Sequence, residues 1–255
     1  MVFTKIYLIP GFVSVFVPLT FVITYVMAVL NGHVEALFPY ISNTGSLSPE
    51  SCVFAQCTNI AAFLILCCVY VKYLQVIEFP TISSGSGVSD AINRTALVFG
   101  IISCIGFDIV GNFQESNIIV VHMIGAVLCF GAGTIYFSIQ LWISYKIPGL
   151  TSRVILIVRT VIVTLCIVFT FTTMFCGIFS YMEAEEKENR EAYMKWKPED
   201  GGWELHLISA FSEWILGFSY CAMFLSYVPE FYAINVHTPV ITFKKMNNSL
   251  FTVEE

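Results

Sequence analysis

The sequence predicts an all-α fold, a polytopic transmembrane bundle of six helices with both termini cytosolic. Three observations predict it. Of the 255 residues, 57% are hydrophobic and only 12% are charged, whereas a soluble domain carries about 25% charged residues. The mean hydropathy is +0.79, so lipid rather than water must solvate most of the surface. The apolar residues also fall into six runs, each near the ~20 residues that a helix needs to cross a bilayer. Residues 1–255 are therefore expected to form a single integral membrane domain, with 228–255 as a cytosolic tail.

The first run, Ile6–Leu30, is too long for a signal-peptide core and lacks a strongly basic start, so it predicts an uncleaved helix. Pro10 and Pro18 predict a kink in it, tolerable where neighbouring helices satisfy the freed carbonyls. The connection Asn31–Glu50 reads NGHVEALFPYISNTGSLSPE, and its Pro, Gly, Asn and Ser predict a structured turn. Leu37, Phe38, Tyr40 and Ile41 suit packing at the membrane interface or over the bundle mouth. Val53–Tyr73 is the second span, followed by Thr81–Arg94, a Ser- and Gly-rich stretch expected to be a flexible linker. Thr95–Phe113 is the third span, interrupted by Asp108 and Asn112, and a tight Gln114–Asn117 turn returns the chain into Ile118–Trp142.

That fourth span carries Gly125, Cys129 and Gly133, a small-residue stripe that lets another helix approach closely. Intramolecular packing is one use for it, and a seam between two copies is the alternative. Val154–Tyr181 is the fifth span, and its Arg159 is expected to snorkel to the headgroups. The connection Met182–Gly202 is acidic and then turns aromatic at Tyr193–Trp196. Trp196 and Trp203 fit an interfacial aromatic belt. Trp203–Tyr227 completes the set.

Orientation follows from Lys and Arg in the connections. Lys5, Lys72, Arg94, Lys146, Arg153, Lys244 and Lys245 fall on the side of the termini, while the first and third opposite connections carry none. The fifth connection dissents with Lys187, Arg190, Lys195 and Lys197. Both termini are accordingly placed in the cytosol. The sequons at Asn93 and Asn247 then lie where the glycosyl transferase cannot act.

Ionisable groups inside a bilayer are costly and therefore informative. Glu213 lies ten residues into its run, about 15 Å down a helix rising ~1.5 Å per residue. His206 and Tyr220, each seven residues away, share its face, with Ser209 and Gly217 close by. Asp108 and His122 lie near the luminal turn, with Asn112 and Gln114 at the rim. These six residues, Asp108, Asn112, Gln114, His122, His206 and Glu213, form a candidate cluster in the luminal half. It reads as interhelical glue, as a cavity for a lipid headgroup, ion or proton, or as a catalytic group. No HxxxH or HxxE spacing, GxSxG, P-loop or dinucleotide fingerprint is present, so no metal, cofactor or catalytic residue is expected. Eight of the nine Cys lie inside apolar runs and read as packing residues. No basic block suggests nucleic acid. Membrane lipids and an unidentified protein are the expected partners.

The chain also resembles the damage-regulated autophagy modulator family of six-helix endomembrane proteins. Pro39-Tyr40-Ile41-Ser42-Asn43-Thr44-Gly45 resembles the family's PYISDTG, followed by Pro49-Glu50. Asn112-Phe113-Gln114, His122, Ile143-Ser144-Tyr145-Lys146, Trp196, Pro198-Glu199-Asp200, His206 and Glu213-Trp214 match further elements in order. Asn43 departs from the usual Asp, and Asp108 stands where a small residue is expected. The resemblance implies a non-enzymatic regulator of autophagy, linked to cell death, in lysosomal or endosomal membrane, with the plasma membrane as the alternative site. It also marks Pro39, Tyr40, Ser42, Asn43 and Gly45 as a luminal turn of interest. A carrier or lipid-handling protein using the polar cluster is the competing function, and a lipid-remodelling enzyme the third.

Overall fold

A computed structural model describes residues 2–82, 88–184 and 194–237. Strand β1 (Val2–Phe3) leads into α1 (Leu8–Leu30), α2 (Glu50–Ile82), α3 (Asp90–Asn112), α4 (Ile119–Lys146), α5 (Arg153–Glu183) and α6 (Trp203–Leu225). A short α7 (Val228–Tyr232) and strand β2 (Val236–His237) follow. Six of these helices are long and apolar enough to cross a membrane. Their outer faces carry exposed Leu, Ile, Val and Phe throughout, as a lipid solvent allows.

The spans form a ring in chain order, each packed on the next, and α1 closes it against α6. Strand β1 pairs antiparallel with β2, Val2 opposite His237. Both ends of the described chain therefore lie on one face, here the terminal face. The connections 31–49 and 113–118, with residues 194–202, make the opposite, loop face.

Several elements differ from expectation. Residues 228–237 are not a free tail: they form α7 and β2 against the bundle. Seven of the nine described residues of the supposed linker are helical: Thr81 and Ile82 end α2, and Asp90–Arg94 open α3 behind an N-cap at Ser89, whose side chain accepts from Ile92 N. Residues 83–87 of it lie outside the described residues, as do Tyr193, Lys187, Arg190, Lys244, Lys245 and the Asn247 sequon. The stripe of Gly125, Cys129 and Gly133 faces inward. A Cβ on Gly125 would meet Ile109 and the backbone of Val110, and one on Gly133 would meet Ser103 and Tyr220. Gly106 of α3 meets the Cys129 backbone in return. The stripe is buried within the chain and offers no outward seam to a second copy.

Helix α4 contains a π-helical stretch, Val127–Ala132. Such a wide turn displaces carbonyls from the i→i−4 ladder, and these need other donors. Ser103 Oγ donates to Cys129 O at 2.8 Å, and Tyr220 Oη donates to Phe130 O at 2.6 Å. Tyr220 thus ties α6 to the widened turn.

Near the terminal face, three charges are buried together. Lys72 Nζ on α2 donates to Glu230 Oε2 on α7 at 2.6 Å and to Gln75 Oε1 at 2.7 Å. Arg159 Nη1 on α5 lies 2.7 Å from Glu230 Oε1, and its Nε and Nη2 donate to Ser226 at 2.9 Å each. The Tyr227 ring lies 5.0 Å from Lys72 Nζ and 4.8 Å from Arg159 Cζ. Arg159 does not snorkel: it is fully buried, because the guanidinium finds a carboxylate and carbonyl inside the bundle. Lys72 likewise belongs to the interior rather than to a charged connection, which removes one cation from the orientation count.

Removing one partner of a buried ion cluster strands the others at a cost of about 3–5 kcal/mol. Glu230→Leu should therefore lower the melting temperature of the purified protein strongly. Lys72→Met, which leaves the Arg159–Glu230 pair intact, should lower it less. Equal melting of Glu230→Leu and the unaltered chain would show that the cluster does not hold α7.

Candidate functional site

The first loop-face connection enters the bundle instead of covering it. Residues 39–46 are all buried, although only Asn43–Gly45 form a helical turn. Irregular backbone at such depth survives only where other groups satisfy it. The α6 pair Glu213-Trp214 does so. Glu213 Oε2 accepts from Ile41 N at 2.7 Å, and Trp214 Nε1 donates to Pro39 O at 2.9 Å. Thr44 Oγ1 bonds Thr24 Oγ1 of α1 at 3.0 Å and donates to Ile41 O at 2.7 Å. At Gly45 an added Cβ would come 2.3 Å from the Phe54 ring, so the turn lies directly on α2. Glu50, fully buried, bonds Asn31 Nδ2 at 3.2 Å and also His33 Nδ1, which ties the two ends of the connection together.

Beside this segment lies a cavity of about 550 Å³, within the ~300–1,000 Å³ range of small-molecule sites. It fills the space between the loop-face half of α4 and α5, since α5 packs closely only on the Gly133–Lys146 part of α4. Its polar end holds Glu115, His122, Tyr181, Ser42, Ser209 and Glu213. Phe21, Phe54, Phe107 and Leu216 make its inner wall. Met123 and Val127 of α4 and Ile178 and Met182 of α5 line it while remaining exposed. It therefore opens sideways, through the ring, to the surface that lipid covers.

Glu115 is buried and accepts from the Tyr181 hydroxyl. His122, also buried, shares a 2.8 Å bond between Nδ1 and Phe113 O. A carbonyl only accepts, so Nδ1 carries a proton. Tyr40 is buried on the same wall. Burial pushes its phenol well above the ordinary range, the carboxylates of Glu115 and Glu213 add to the rise, and the hydroxyls of Ser209 and Ser180 oppose it.

The six candidate residues do not form one cluster. His122 and Glu213 share the cavity wall. His206 sits beyond it, stacked on Trp196 at 4.5 Å and edge-on to Tyr40 at 4.9 Å between ring centroids. Trp196 is therefore not an interfacial belt residue: it is buried and its Nε1 donates to Gly201 O at 2.9 Å. Asp108 and Asn112 are exposed on the far side of α3, where Asn112 Nδ2 donates to Asn59 Oδ1 of α2 at 2.7 Å. With its amide turned over, Asn59 would donate to Asp108 Oδ1 at 3.0 Å. Gln114 serves its own turn, accepting from Asn117 Nδ2 at 3.1 Å. Pro39, Tyr40, Ser42, Asn43 and Gly45 are buried rather than displayed on a luminal surface. Sequence reasoning missed Glu115, since a carboxylate in a four-residue turn reads as solvated. Among the described residues no three His, Cys, Asp or Glu side chains are placed to hold a metal ion.

The Frag1/DRAM/Sfk1/Cwh43P N-terminal domain matches residues 5–234. The chain is 34% identical over 228 residues to the human DNA damage-regulated autophagy modulator protein 2, covering 89% of this chain and 84% of that protein. It is 34% identical over 218 residues to the human DNA damage-regulated autophagy modulator protein 1, covering 85% and 87%. The modulator of macroautophagy TMEM150B of Danio rerio is 34% identical over 233 residues, covering 90% and 87%. No solved structure matches.

The geometry at Glu213 separates two substitutions. Glu213→Gln retains an acceptor for Ile41 N and should leave folding nearly unchanged. Glu213→Leu strands that N–H, a loss of about 1–3 kcal/mol for a buried unsatisfied donor. It should lower the melting temperature and expose residues 35–46 to protease. If Glu213→Leu melts and resists protease like the unaltered chain, Glu213 does not anchor the segment.

Proposed function

We propose that this chain, which belongs to the Frag1/DRAM/Sfk1/Cwh43P family, is a non-enzymatic regulator of autophagy seated in an endomembrane. The observation that carries the reading is the extent of the likeness: relatives named as autophagy modulators align over 85–90% of the chain. Geometry adds support. Glu213, Trp214 and His122 each bond to a backbone group, and His206 stacks among aromatic rings. These bonds and stacks hold the shape of the loop face, as expected of a protein that acts through contacts with lipids or partners. A lysosomal or endosomal membrane is the location we infer, with both termini cytosolic and the loop face luminal. A lipid-handling role is a second reading, favoured by the laterally open cavity.

Loss of the chain from cells should reduce the turnover of the lipidated autophagosome marker, measured with and without blocked lysosomal acidification. Re-expressed protein should restore it and should colocalise with lysosomal markers. Unchanged turnover would exclude the regulatory role. For orientation, an acceptor sequon engineered at exposed Glu35 should gain a glycosidase-sensitive glycan. Asn93 is a poor reporter, because it is buried and its Nδ2 donates to Tyr73 O at 3.0 Å. A glycan gained on the terminal face instead, at a sequon placed before Leu8, would reverse the orientation.

A further inference from the structure

We propose that the cavity and the seam below it form a binding site for a long-chain amine, a membrane amphiphile with a positively charged, hydrogen-bond-donating head and one apolar chain. The proposal does not depend on the autophagy reading.

The head is specified by what lines the polar end. Glu115 and Glu213 both face the cavity, and His122, whose Nδ1 is committed to Phe113 O, lines it with them. Each carboxylate keeps acceptor capacity beyond its bond to Tyr181 or Ile41, since an ionised carboxylate accepts at about four positions. No Lys or Arg lines the cavity among the described residues. Two carboxylates on one low-dielectric wall repel each other when charged, and a cationic head relieves that repulsion. A carboxylate or phosphate head would add to it. A neutral hydroxyl would make the hydrogen bonds but leave the charge unmatched.

The chain is specified by the seam. A groove of about 550 Å³ continues along the outside of α4 and α5 toward the terminal face, and Thr170 and Met174 line both spaces. Apart from Thr134 and Ser138 its other walls are apolar, Ile135, Ile139, Trp142 and Phe171 among them, and accept an acyl chain. The π-helical turn Val127–Ala132 lies at the junction, with Val127 on the cavity and Gly131 on the groove. Its wide backbone, held by Ser103 and Tyr220, separates α4 from α5 above while the Thr134–Thr170 bond of 2.9 Å draws them together below. A head entering past Met123 and Ile178 would reach Glu115 while its chain stayed in the seam, so the ligand would not have to leave the membrane.

The test uses the purified full chain in phosphatidylcholine nanodiscs and a long-chain primary amine with a diazirine on its chain. Saturable cross-linking to α4 and α5 is expected, displaced by the unlabelled amine and about tenfold or more less well by the chain-matched fatty acid and alcohol. Glu115→Gln should weaken labelling by about tenfold or more, the size of one lost charge-assisted hydrogen bond. Ile178→Trp alters only an exposed rim residue and should block entry even if Glu115→Gln folds poorly. Equal displacement by the fatty acid or alcohol would overturn the assignment of the head. Non-saturable labelling, or labelling unchanged by Ile178→Trp, would overturn the site.

Discussion

A segment of non-helical backbone buried among apolar helices has no water to satisfy it, and the bond from Ile41 N to Glu213 meets that constraint here. In hydrocarbon an unsatisfied N–H costs several kcal/mol, so residues 39–46 can lie inside the ring only if the ring supplies partners. Glu213 and Trp214 supply two from consecutive positions on α6, one accepting and one donating. Thr24 on α1 and the Phe54 ring on α2 fix the remaining sides. The segment thus ties together α1, α2 and α6, the three spans around the point where the ring closes.

The cavity follows from that arrangement. With Tyr40, Ile41 and Ser42 wedged inward, the loop-face half of the bundle is too wide for α4 and α5 to meet there. The π-helical turn widens α4 at the same level, and its displaced carbonyls are satisfied by side chains from α3 and α6. On the terminal face no such wedge is found among the described residues. The Lys72–Glu230–Arg159 cluster instead draws α2, α5 and α7 together. The bundle is consequently closed at one end and laterally open at the other.

How much of this was legible in the sequence depended on the kind of signal. The six spans were, because length and apolarity are local properties. So was the inward facing of Glu213, since an acid near mid-membrane is costly against lipid. Its partner was not, because a backbone N–H from a loop 172 residues earlier leaves no mark in composition. Arg159 and Lys72 were misplaced for a related reason: each lies near a span end, Arg159 reading as snorkelling and Lys72 as a cation of the connection, and only the fold shows Glu230 returning beneath them. Asp108 and His122 lie at similar depth, yet helix rotation sends one outward and the other into the cavity. Depth could be read from position along the chain, whereas facing depends on neighbours that composition does not identify.

Most of the motifs that carried the family resemblance look dispersed along the chain but meet at the loop face, while Ile143-Ser144-Tyr145-Lys146 lies at the other end, where Ser144 accepts from Arg159. Pro39-Tyr40-Ile41 bonds to Glu213-Trp214, Phe113 bonds to His122, and Trp196 stacks on His206, which in turn meets Tyr40. Glu50 of the Pro49-Glu50 pair fastens the base of the same segment. Their spacing along the sequence therefore records one contiguous construction rather than several independent sites. A construction of this kind explains how a chain can keep a recognisable pattern at about one-third identity. The lipid-facing residues need only be apolar, while residues that complete a buried hydrogen bond must match a particular partner. Recognition of the family and the wall of the cavity share Tyr40, Ile41, Ser42, His122 and Glu213.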